Sequence, residues 1–178
     1  MEILKLEALS TIVTAFSPVQ CNFLVENCIV TLENQQHAAG CQLSVKGDDT
    51  TQFVLDWELS VNKAGYQEPK KTTEHAAEAI SFFLSHQLTE YKVVEEGLIG
   101  TGIDYWLGYD ESHARYDPIN FLQARLEISG IKAGNTSNSL ERRVKEKQQQ
   151  TVKSDATGLP AYVSVVEFSA PQAYFGKK

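Results

Sequence analysis

Cysteine is scarce in this sequence. There are three in 178 residues, Cys21, Cys28 and Cys41, and none stands at C-x-x-C spacing. That argues against a zinc site and against a disulfide scaffold. It is consistent with reduced, mostly buried thiols in a cytoplasmic protein. Long apolar runs are missing too. No stretch approaches the roughly 20 residues of a membrane span. The first twenty residues, MEILKLEALSTIVTAFSPVQ, lack the basic start and long apolar block of a signal peptide. A cytoplasmic chain without membrane contact is the expectation. Positive charge is in deficit: 16 Lys and Arg against 23 Asp and Glu give a net charge of −7. Such a chain is a poor nonspecific binder of nucleic acid, although a local basic patch is compatible with it. One cluster exists, ERRVKEKQQQTVK (141–153). Its plainest reading is a solvated helix face, balanced by Glu141 and Glu146. The four histidines (37, 75, 86 and 113) have no metal-ligand spacing and read as surface residues. Gly100 and Gly102 read as turn glycines, since no phosphate-binding G-x-G-x-x-G surrounds them. No Ser-His-Asp set can be assembled from local spacing, and there are no internal repeats.

What is present suffices for a core. The hydrophobic fraction is 42%, and the length suits one domain or one domain with an appendage. Residues 1–70 read as a β-rich extension. Leu43 and Val45 alternate in CQLSVKG, and Phe53, Leu55 and Trp57 alternate in TQFVLDWELS. KGDDT supplies turn chemistry between them. CNFLVENCIVTLE (21–33), rich in β-branched and aromatic residues, reads as a further strand. NKAGYQEPKK (62–71) reads as a connector. From residue 71 the pattern changes. Ala76, Ala77, Ile80, Phe83, Leu84 and Leu88 have helical spacing over 72–91, with Thr72 or Thr73 as cap. Strands are expected over 91–96, 100–109 and 120–129. A helix follows over 138–151, capped by Asn138 with Glu141 three residues on. A last strand covers 161–169, and the tail after Pro171 reads as irregular.

Two of these strands carry a carboxylate inside an apolar run: Asp104 in GIDYWL and Glu127 in ARLEIS. Carboxylates on neighbouring strands can hold a hard cation such as Mg²⁺, which prefers oxygen ligands. Phosphodiester hydrolysis uses such an ion to activate water and to stabilise the leaving oxygen. Each residue also has a plainer explanation. Asp104 can bond nearby backbone amides, Glu127 can pair with Arg125, and Glu78 in EHAAEAI can be an ordinary surface charge.

The order helix, three strands, helix, strand, with Gly102-Ile103-Asp104 on the second strand and Glu127-Ile128-Ser129 on the third, resembles the PD-(D/E)XK nuclease superfamily over roughly residues 72 to 170. The resemblance implies an α/β (α+β) fold, a restriction-endonuclease-like αβββαβ core over 71–178 behind the extension. It implies Mg²⁺ or Mn²⁺ held by Glu78, Asp104 and Glu127, and catalysis on nucleic acid. The family's motif lysine is absent, because Ser129 stands in its place. Arg125 shares a strand face with Glu127 and Ser129 and is the candidate replacement, or else the salt-bridge partner that holds Glu127. Lys132, past the strand end, and a lysine of the second helix such as Lys145 are other candidates.

Two function classes follow. One is a metal-dependent nuclease. The other is a non-catalytic relative that binds nucleic acid, another protein or a second copy of itself. The missing strand lysine and the negative charge predict weak or absent cleavage unless a cation is supplied from elsewhere.

Overall fold

A computed structural model describes all 178 residues. In chain order the elements are β1 (Glu2–Lys5), α1 (Leu9–Ile12), α2 (Pro18–Asn34), β2 (Cys41–Lys46), β3 (Thr50–Asp56) and α3 (Pro69–Leu88). Then come β4 (Lys92–Glu96), β5 (Tyr105–Gly108), β6 (Ala124–Ile131), α4 (Leu140–Gln150), β7 (Ala161–Glu167) and β8 (Gln172–Lys177). The eight strands form one mixed sheet in the order β1-β3-β2-β8-β7-β6-β5-β4. The β1/β3, β2/β8 and β6/β7 pairs are parallel and the others antiparallel. From α3 to β7 the expected succession of helix, three strands, helix and strand is present. No helix is long and apolar enough to cross a membrane.

Four local expectations are corrected. Residues 21–33 lie in α2 rather than in a strand. Ser17 caps that helix by accepting a hydrogen bond from the Gln20 amide (3.2 Å), and Pro18 takes the first turn, where its missing N–H costs nothing. Cys21, Leu24, Val25, Cys28, Ile29 and Leu32 are all buried. Their spacing is helical, and it outweighs the β-branched content that suggested a strand. The tail after Pro171 is not irregular. It forms β8, which buries Ala173 and Phe175 on one face. The caps also move. Glu68 caps α3, four or five residues before the expected threonines, by accepting from the Lys70 and Lys71 amides. Ser139 rather than Asn138 caps α4.

β8 joins the two segments that the sequence pattern separates. It pairs with β2 on one side and β7 on the other, so the sheet runs unbroken from residues 1–70 into 71–178. The main apolar core likewise draws on both segments, with Leu24, Ile29, Leu43 and Phe53 beside Ile80, Phe83, Leu126 and Phe168. Cys21 and Cys28 are buried free thiols, and Cys41 is a half-buried one.

The two faces of β6 have different partners. Leu126 and Ile128 belong to the core beneath α2 and α3. The opposite face carries Arg125, Glu127 and Ser129, whose side chains bond to α4 and the segment after it. A small second core, including Ile131, Leu140, Val144 and Val165, seats α4 over β6 and β7. That seating brings the charged flank of α4 against the polar face of β6.

Candidate functional site

Asp104 lies one residue before β5. The antiparallel register pairs Tyr105 with Leu126, so Asp104 falls opposite Glu127. Its amide donates to the Leu126 carbonyl (2.9 Å), and its carboxylate accepts from the Ile128 amide (2.7 Å). The plainer expectation for Asp104, a bond to backbone amides, is thus met. It also holds the carboxylate in a fixed place opposite Glu127.

Glu127 is buried, with 6% of its side chain exposed. Burial first, and then the Asp104 charge, push its carboxyl from an ordinary 4.5 up to about 7 against the pull of Lys147. Asp104 is also shifted upward, mainly by burial, with the Ile128 amide and Lys147 opposing. Two neighbouring buried carboxyls resist ionising together, which is why both are shifted upward.

The cations come from α4. Lys147 Nζ lies 2.6 Å from Glu127 Oε1. One turn earlier, Arg143 donates to Ser129 Oγ (2.9 Å) and to Asn138 Oδ1 (2.7 Å). The spacing of four puts both on one helix flank, next to the buried Leu140 and Val144. The strand position without a lysine therefore has a guanidinium at its hydroxyl, and its neighbouring carboxylate has an ammonium. The sequence points to a lysine of the second helix, such as Lys145; Lys145 is exposed, and it is Lys147 that reaches Glu127. The buried Leu140 and Val144 are the signal that selects Lys147, because they fix which flank of α4 meets the sheet.

Arg125 takes neither role expected of it. Its guanidinium turns toward the segment after α4, donating to the Leu159 and Thr151 carbonyls, Ser154 Oγ and Asp155 Oδ1. All its ring of partners lies at that end of the strand, and the ion pair with Glu127 belongs to Lys147 instead. Lys132 lines a separate cavity beside Thr72 and Thr73.

Glu78, Asp104 and Glu127 line one cavity of about 320 Å³. Glu78 and Asp104 also line an adjoining one of about 480 Å³ that holds Lys70, Arg143 and Lys147. Glu78 is engaged with His75 (3.2 Å), which that contact shifts toward the charged form. No set of three or more His, Cys, Asp or Glu side chains converges closely enough to hold an ion alone. The Asp104–Glu127 pair fits a divalent cation by donor chemistry. It presents hard oxygen ligands, and a dication there would offset the mutual repulsion that now raises both carboxyls.

The raised Glu127 carboxyl has a consequence for stability. Between about 4.5 and about 7 the folded protein keeps a proton that the unfolded chain releases. Its contribution is therefore largest at low pH and is lost as pH rises through that window. In metal-free buffer, the melting temperature of the wild type is expected to fall more steeply from roughly pH 5 to pH 8 than that of Glu127→Gln. Parallel curves for the two proteins would contradict this.

Compared with known protein families, curated proteins and solved structures, the chain finds no match.

Proposed function

We propose that this protein is a metal-dependent phosphodiesterase acting on nucleic acid, built on a divergent PD-(D/E)XK-like core with its lysine moved from the third strand to the second helix. The observation that carries the reading is the contact of Lys147 with Glu127, beside Asp104, in an open cleft. The element order from α3 to β7 and the position of Asp104 opposite Glu127 support it.

Asp104 and Glu127 would hold Mg²⁺ or Mn²⁺, with Glu78 at the cavity wall. Such an ion supplies an activated water and stabilises the leaving oxygen. The chain's own groups do the rest. The Ile128 amide fixes Asp104. Lys147 orients Glu127 and sets a positive charge where phosphate charge builds up. Arg143, held by Ser129 and Asn138, offers a second fixed cation for a neighbouring phosphate. Preorganised cations of this kind are the main source of stabilisation for such transition states, so the missing strand lysine ceases to be a reason to expect weak cleavage, while the net charge of −7 remains one.

A second reading keeps the fold without chemistry: a module that binds nucleic acid or a protein partner. The net charge of −7 favours it, since it opposes the approach of a polyanion. Labelled single- and double-stranded oligonucleotides incubated with Mg²⁺ or Mn²⁺ separate the two. Cleavage by the wild type that Glu127→Ala removes is the expected result. No cleavage of either substrate by the wild type would sink the phosphodiesterase reading.

A further inference from the structure

Between β4 and β5 the chain makes a hairpin, GLIGTG (97–102), with two large aliphatic residues at its tip. Leu98 is 77% exposed and Ile99 fully so (106%). Single exposed aliphatics are ordinary. These two are adjacent, and they form the lip of the cavity that holds Asp104 and Glu127.

The hairpin is constrained. Gly97 donates to the Asp104 carbonyl (2.7 Å), which ties the neck of the loop to the residue that bears the carboxylate. The Thr101 amide and hydroxyl both bond back to the Leu98 carbonyl (3.2 and 2.6 Å). Gly100 (φ +91°) and Gly102 (φ +79°) occupy the left-handed region that other residues avoid. At Gly102 a side chain would also collide with the backbone at the end of α4, since its Cβ would stand 2.3 Å from the Gln150 carbonyl oxygen. The two aliphatic side chains are thus held out into water at a fixed place over the cleft, which Lys153 also lines.

We propose that Leu98 and Ile99 form an apolar wedge that packs against unpaired bases next to the phosphate in the cleft, making single-stranded nucleic acid the preferred substrate class. The proposal rests on the phosphodiesterase reading for the position of the phosphate. Aliphatic side chains engage nucleic acid by inserting at base faces, and in a duplex they must first unstack a step. A single strand offers its bases without that cost. Charge points the same way. A duplex packs phosphates more densely than a single strand and demands more neutralisation, which a chain of net charge −7 is poorly equipped to supply. Lys153 lines the cleft, and Lys147 and Arg143, paired with Glu127 and Glu146, add limited positive charge there, enough for one strand rather than two, so the wedge adds apolar contact where charge is short.

The test measures binding by fluorescence anisotropy in EDTA and low salt, where cleavage plays no part. The probes are a labelled single-stranded oligonucleotide and its duplex, and the proteins are the wild type and Leu98→Ser/Ile99→Ser. The wild type is expected to prefer the single strand, and the double variant to lose about tenfold in single-strand affinity with an unchanged melting temperature. Equal affinity of the two proteins for the single strand overturns the proposal, and so does a wild type that prefers the duplex or binds neither probe. A wild-type dimer in sedimentation that the double variant dissolves also overturns it, because the tip would then be covered by a second copy. Selective binding without any cleavage when Mg²⁺ or Mn²⁺ is added sinks the phosphodiesterase reading alone. Cleavage with equal affinities sinks the wedge alone.

Discussion

Lys147→Met is expected to reduce oligonucleotide cleavage by about 10²–10³-fold, the usual cost of removing one preorganised charge from a transition state. Methionine keeps the length and apolar stem of the side chain, so α4 should stay seated by Leu140 and Val144. Only the ammonium at 2.6 Å from Glu127 is lost. The loss should appear in kcat, because the charge matters most where phosphate charge develops. Ser129→Lys in the Lys147→Met background returns an ammonium to the adjacent strand position and should restore part of the activity. A Lys147→Met protein that cleaves like the wild type would remove Lys147 from any role in the chemistry.

Arg125→Met is expected to act on stability. The guanidinium is almost fully buried, with 5% of its side chain exposed, and it serves the carbonyls of Thr151 and Leu159 together with Ser154 and Asp155. Methionine leaves those carbonyls without their donor, at a cost of about 3 kcal/mol. For a chain of this size that lowers the melting temperature by on the order of 10 °C. Asp155 adds little, because it is half exposed and keeps its pairing with Lys178. Thermal melts of wild type and variant check the value. A shift within about 1 °C would mean that the Arg125 network contributes nothing net.

The two substitutions also mark what was legible in the sequence. Asp104 and Glu127 stood out because a carboxylate inside an apolar run is rare, and strand pairing then set them opposite each other. The cation was harder to locate. Periodicity along one strand shows that Arg125 shares a face with Glu127, but not which way a long side chain turns. The carbonyls after α4 win the guanidinium. Lys147 sat among five basic residues in ERRVKEKQQQTVK, and its selection depends on how deeply Leu140 and Val144 fix the rotation of the helix. In α2, Val25, Ile29, Val30 and Thr31 suggested a strand, although the apolar spacing from Cys21 to Leu32 and the Ser17-Pro18 start both belong to a helix. β8 is not legible in the sequence for another reason. Its alternation is only Ala173 and Phe175 between a proline and a glycine. Its stability comes from β2 and β7 on either side, contacts that no local window contains.

The carboxylate pair is the element on which the rest depends, and calorimetric titration of Mn²⁺ addresses it directly. Near neutral pH the wild type should give a saturable one-site isotherm at micromolar to millimolar metal, and Asp104→Asn should weaken it at least about tenfold. An absence of binding heat at millimolar Mn²⁺, or an isotherm that Asp104→Asn leaves unchanged, would contradict a metal site at Asp104 and Glu127.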